Sequence, residues 1–240
     1  MTGANAPIGP NIGEEFTIEY LDGETFVNFS CFENAESGRV YLQTNSNSDL
    51  ISLTHIINTS NESQQFIGTL FGSDGRRLGL ADHRLHLDWI PSKGRLILSS
   101  EMIEEIFSIA PWTGPAMLEV QGSDRFELMT KLISPSGLSS NTNCARRDQV
   151  HNIEGSDSPN TSFVRLINIG DQPVYAVRGS LFDREGSHIG DPDMTVVDTL
   201  LAKQQVWLNR NDLNELFGGW NGEAMLSVEG GADLRLLNLN

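Results

Sequence analysis

The sequence predicts an all-β fold: two tandem, pseudo-twofold-related β-sandwich domains, each with one short helix. Three observations predict it. Residues Trp112–Val120 and Trp220–Val228 share the pattern Trp-x-Gly-x-Ala-Met-Leu-x-Val, six of nine positions identical at an offset of 108 residues, so the chain is internally repeated. Short β-prone runs recur at close spacing between Gly, Asp and Pro turns, the signature of a sandwich rather than of βαβ units. Each repeat contains one short apolar-periodic stretch behind a good N-cap, Ser99 in the first and Asn209 in the second.

Taken in order, residues 1–14 read as a loose arm. Phe16–Leu21 and Glu24–Cys31 read as strand, turn and strand about Asp22-Gly23, and Asn34–Gly38 as a linker. Strands are then expected at Leu53–Asn58 and Gln65–Phe71, with a hairpin turn at Ser73–Gly75, where Asp-Gly supplies the positive φ that such turns require. Leu85–Ile90 and Arg95–Leu98 are further strands. The helix follows Ser99, with Glu101, Glu104 and Glu105 on its positive end and Ile103, Ile106 and Phe107 as its apolar stripe. Trp112–Val120, Phe126–Ile133 and Leu138–Cys144 close the unit.

The second repeat answers piece by piece: Phe163–Asn168 to Leu53–Asn58, both ending in Ile-Asn, and Gly179–Phe182 to Gly68–Phe71. Asp198 and Lys203 answer Asp88 and Lys93, and Leu213, Leu216 and Phe217 reproduce the helix stripe before a Gly218-Gly219 C-cap. Leu234–Leu237 answers Phe126–Met129. No counterpart of Leu138–Cys144 follows it, whereas Thr25–Cys31 matches that strand from the other end. The expected division is therefore 37–150 and 151–240 for the two domains. Residues 1–36 form an arm and strand that completes the second domain's sheet, within the chain or in the next subunit, or else lies as a hairpin on the first domain.

Charge narrows the partners. Asp and Glu number 32 against 16 Lys and Arg, only three of them Lys, for a formal charge of -16. The basic residues are scattered, so no nucleic-acid footprint exists. No run of about 18 apolar residues is present, so no membrane span is expected, and Met1–Asn11 has neither the basic start nor the apolar core of a signal peptide. The Asn-, Ser- and Gly-rich, Lys-poor composition suits a secreted or surface protein, or a chain from a salty habitat. Cys31 and Cys144 occupy matching places; they either form a disulfide or sit as small buried residues in separate domains.

Candidate chemistry is sparse. His83 and His86, flanked by Asp82 and Asp88, have the residue types of a metal site, but three-residue spacing on a strand points them to opposite faces. Asp191 and Asp193 put two carboxylates in a turn, too few for a calcium loop. Glu104-Glu105 reads as a solvated acidic face. No nucleophile-elbow, zincin or phosphate-loop motif occurs, so no catalytic residue and no cofactor is assigned. Trp112 and Trp220 read as packing, and Trp89 and Trp207, unmatched between repeats, as ligand-platform candidates. Four Asn-x-Ser/Thr acceptors stand at Asn28, Asn58, Asn61 and Asn160.

The Trp-x-Gly-x-Ala-Met-Leu-x-Val motif, followed by a short turn, a Leu-rich strand and Asn-x-x-Cys, resembles a tandem module of secreted or envelope proteins of bacteria, over most of residues 24–240. The resemblance brings no active site. It implies a β-sandwich, an extracellular or envelope address and a structural or binding role. The function expected is thus a non-enzymatic binding or assembly module acting through a sheet edge on a protein partner or on itself. A carbohydrate-binding module is the first alternative, and a hydrolase with a carboxylate site between the domains the second.

Overall fold

The computed structural model describes residues 14–21, 24–31, 37–136, 139–141, 145, 149–159 and 161–239, with backbone alone at 14–37, 139–141, 151 and 239. The protein is all-β, built from antiparallel sheets with two short helices. It divides into two compact units: Met1–Gly72 with Arg77–Cys144, and Ser73–Arg76 with Ala145–Asn240.

In the first unit, β1 (Glu14–Leu21) and β2 (Glu24–Cys31) form a two-stranded hairpin in register from Glu14↔Cys31 to Leu21↔Glu24. The main body follows as β3 (Ser37–Leu42), β4 (Ile51–Asn58), β5 (Ile67–Phe71), β6 (Arg77–Arg84), β7 (Arg95–Ser99), α1 (Ser100–Phe107), β8 (Ala116–Gln121), β9 (Phe126–Ile133) and β10 (Ser139–Asn141). They pair as two four-stranded sheets, β3-β8-β5-β6 and β10-β9-β4-β7. Val40, Leu42, Leu70, Leu118 and Val120 of the first sheet face Ile56, Leu96, Leu98 and Phe126 of the second, and α1 closes the core with Ile103 and Phe107. Side chains of alternating strand positions from two sheets meeting over one apolar layer make a sandwich. The β1–β2 hairpin is grouped with this unit, with β2 near β10 and β9.

The second unit carries the same elements in the same order: β11 (Gln149–Glu154), β12 (Phe163–Asn168), β13 (Val174–Phe182), β14 (His188–Leu200), β15 (Gln205–Asn209), α2 (Arg210–Phe217), β16 (Glu223–Glu229) and β17 (Leu234–Leu239). One sheet, β11-β16-β13-β14, repeats the pairing of β3-β8-β5-β6; the other, β15-β12-β17, repeats that of β7-β4-β9. Its core joins Val164, Leu166, Leu181, Leu208, Leu226 and Leu236 under Leu213 and Phe217 of α2. Among the described residues nothing plays the part of β10. β10 pairs with only the last three residues of β9, Lys131–Ile133, so the edge of β17 over Leu234–Asn238 matches a stretch of β9 that β10 also leaves open.

A buried asparagine organises one end of each unit. The Asn58 amide Nδ2 reaches the carbonyls of Glu62, Ile90 and Pro91 at 2.8, 3.0 and 3.0 Å. The Asn168 Nδ2 reaches Gln172, Leu200 and Leu201 at 2.8, 3.1 and 2.9 Å. Both side-chain oxygens accept a backbone N–H two residues on, from Ser60 and Gly170. A left-handed lysine completes each arrangement: Lys93 (φ 61°) donates to the Thr59 carbonyl and Lys203 (φ 60°) to that of Ile169.

Several elements differ from the sequence expectation. Ser37 and Gly38, expected in a linker, begin β3, and β11 straddles the expected 150/151 boundary. The strand expected at Leu85–Ile90 lies earlier, at Arg77–Arg84. That is an edge strand with exposed Arg, Leu and Asp, so burial imposes no apolar alternation on it. Gly190–Asp193 is not a turn but part of the 13-residue edge strand β14, whose ladder with β13 shifts register twice. Irregular pairing of this kind is a common device at sheet edges. Glu104 is buried rather than solvated because its Oε1 accepts the Ser46 N–H at 3.0 Å.

Candidate binding surfaces

The repeated tryptophans are packing residues: Trp112 and Trp220 are 5% and 6% exposed and belong to the two cores. Trp89 is 61% exposed, two residues after Leu87 at 84%. The segment is held at both ends. Ile90 and Gln64 exchange backbone hydrogen bonds of 2.9 and 3.0 Å, and Gln65 Nε2 donates to the Leu87 carbonyl at 3.3 Å. At its middle the Asp88 N–H donates to His86 Nδ1 at 3.1 Å. Trp89 is thus an exposed ring between hydrogen-bonded neighbours.

Trp207, on β15, is engaged by its own sheet. Phe163 meets it edge-on at 5.8 Å, and the Arg165 guanidinium lies 5.7 Å from its ring centre. Arg165 is itself fully buried and donates to Gln205 Oε1. Such stacking leaves less of the indole face for a ligand than Trp89 offers. The remaining large exposed apolar side chains include Leu80, Tyr175 and Leu201, at 67%, 70% and 49%.

The proposed ligand atoms are dispersed. The His83 ring packs against Phe107, centroids 5.8 Å apart, while His86 takes the Asp88 N–H. Asp193, in a left-handed conformation (φ 54°), donates its N–H to Ser180 Oγ at 2.9 Å, as Asp82 (φ 49°) does to Thr69 Oγ1 at 3.0 Å. Asp191 is exposed beside it on β14. Among the described residues no group of three or more His, Cys, Asp or Glu side chains could hold a metal ion. The Cys31 side chain and all of Cys144 lie outside the described residues, as do Asn160 and the side chain of Asn28. Asn58 is fully buried with both side-chain atoms in use, so glycosylation there is incompatible with the fold; Asn61 is exposed.

An open recess of about 280 Å³ in the second unit lies beside Asn152, Asp183, Arg184 and Glu223. Asp183 Oδ1 already accepts the N–H groups of Glu185 and Ser187, which leaves one Arg and one Glu in an open, solvated groove. On β4, burial and then the charges of Lys131 and Arg95 hold the His55 pKa below the ordinary value. No helix among the described residues is long and apolar enough to cross a membrane.

No family model, no curated protein and no solved structure matches this chain.

Proposed function

We propose that the protein is a non-enzymatic β-sandwich binding and assembly module, an accessory or structural subunit of an extracellular or envelope assembly. The observation that supports it is the edge of β17: Leu234–Leu239 is laddered to β12 on one side and, among the described residues, to no strand on the other. An open strand edge offers a row of backbone donors and acceptors to a partner strand. The partner is a protein segment or a second copy of the chain, and the acidic character keeps nucleic acid away.

The test is the solution mass by light scattering of the full chain and of a version lacking residues 1–33. Self-association predicts a mass above the 26.4 kDa of one chain that rises with concentration, and a shift to monomer when the N-terminal strands are removed. A full chain that stays monomeric throughout the concentration range ends the self-association form of the proposal.

A second reading, glycan binding, is favoured by Trp89. Its large flat ring, 61% exposed between hydrogen-bonded neighbours, offers an apolar face on which a sugar ring can stack. Affinity electrophoresis in polysaccharide gels tests it.

A further inference from the structure

The backbone pair Gln64↔Ile90 in the first unit has its counterpart in Val174↔Leu200 in the second, both residues of the pair being 110 positions apart. Trp89 directly precedes Ile90, and Tyr175 directly follows Val174. In an antiparallel pair these two places lie on the same side of the matched pair, one on each strand. The direct partners agree: Tyr175 pairs with Thr199, which stands 110 residues after Trp89, and Gln65 stands 110 residues before Tyr175. Among the described residues, each unit therefore carries an exposed aromatic side chain one residue from the matched pair and on the same side of it, 61% for Trp89 in the segment leading into Ile90 and 70% for Tyr175 on β13. Direct comparison of the repeats conceals this, because position by position Trp faces Thr and Tyr faces Gln.

We propose that Trp89 and Tyr175 are two equivalent stacking sites for the pyranose rings of a neutral polysaccharide. The proposal rests on the glycan reading above and adds the second site and the ligand class. A pyranose has an apolar C–H face and a hydroxylated rim, which suits an exposed flat ring beside short polar side chains. Thr199 lies across the ladder from Tyr175, Asp88 precedes Trp89, and Gln65 reaches the Leu87 carbonyl two residues before it. Tyr175 stands in the β13–β14 ladder and Trp89 between hydrogen-bonded neighbours, so stacking costs little ordering entropy. The net charge of -16 disfavours uronate and sulfated polymers and leaves neutral ones.

The experiment is native affinity electrophoresis of the full chain in gels containing hydroxyethylcellulose, galactomannan or a soluble β-1,3-glucan, with alginate as the anionic comparison. The expected result is retardation by at least one neutral polymer and none by alginate. Trp89→Ala and Tyr175→Ala should each weaken it by about tenfold, and the double variant should abolish it. Tyr175→Phe, which keeps the ring, should behave as the unaltered protein and so separates stacking from a folding defect. If Trp89→Ala removes all retardation while Tyr175→Ala changes nothing, the paired-site proposal is overturned and glycan binding stands. Absence of retardation in every neutral polymer overturns glycan binding itself.

Discussion

Asn58 donates from Nδ2 to the Ile90 carbonyl at 3.0 Å across 32 residues, and Asn168 reaches Leu200 at 3.1 Å across the same interval. An amide is the right group here because one side chain must offer donors to carbonyls of two segments and an acceptor to a backbone N–H. Aspartate has the shape but not the donors.

Substituting Asn58→Ala strands several buried carbonyls and leaves Ser60 and Gln64 without the Oδ1 that each now reaches, at 2.7 and 2.8 Å. Unmet buried polar groups cost about 1–3 kcal/mol each, only partly recovered by water, so a loss of about 3 kcal/mol is expected. Asn168→Ala should cost less, because its Oδ1 has the Gly170 N–H alone where Asn58 has three partners. Urea unfolding of both variants checks the order; equal losses below about 1 kcal/mol would remove the asparagines from this role.

The helix caps give a graded comparison. Ser99 accepts only the Met102 N–H, at 3.2 Å, whereas Asn209 accepts from Asn211 and Asp212 while Asp212 Oδ2 takes the Asn209 N–H at 2.7 Å, a reciprocal capping box. Ser99→Ala should cost about 1 kcal/mol and Asn209→Ala up to about 2. Thermal melting that ranks them the other way would show that the box contributes nothing beyond a single cap.

How much of this was legible in the sequence follows the same physics. Strands flanked on both sides, such as Leu53–Asn58 and Phe163–Asn168, announced themselves because burial forces apolar residues into them. The edge strands did not: half-wet and bulged, β6 was expected later, at Leu85–Ile90, and the Asp191–Asp193 part of β14 read as a turn. The Ile-Asn endings marked equivalent positions, but no spacing rule tells that those amides hold segments 32 residues away. The candidate surface was half legible. Trp89 stood out by being unmatched, while Tyr175 became visible only through the strand pairing, since exposure belongs to the fold and not to the residue type.

His55 makes stability depend on pH in a definite direction. Unfolded, its imidazole titrates near 6.5; folded, burial and then the charges of Lys131 and Arg95 hold it lower. Between those two values the unfolded chain carries more protons than the folded one. Stability from this group is therefore complete above about pH 6.5 and falls as pH drops below it, with a slope of at most about 1.4 kcal/mol per pH unit. The loss levels off once the folded histidine is itself protonated. In His55→Gln this component disappears, so the difference in urea midpoint between the two proteins should change between pH 7.5 and 5.5. A constant difference would mean that the ring is protonated as easily in the folded protein as in the unfolded.

Two glycines of the second unit separate backbone strain from steric contact. Gly186 and Gly190 both have positive φ, 83° and 70°, so alanine at either must adopt a left-handed conformation at about 1 kcal/mol. A Cβ at Gly186 would meet nothing within 4 Å, whereas at Gly190 it would collide with the Phe217 carbonyl at the end of α2. Gly190→Ala must displace that backbone and should cost about 3 kcal/mol or more, while Gly186→Ala stays near 1. In the first unit Gly79 repeats the close approach, a Cβ there falling 2.5 Å from the Phe107 carbonyl, so Gly79→Ala should group with Gly190→Ala. Melting temperatures in which all three fall by the same small amount would show that the end of the helix yields freely, and that the contact between edge strand and helix does not fix either.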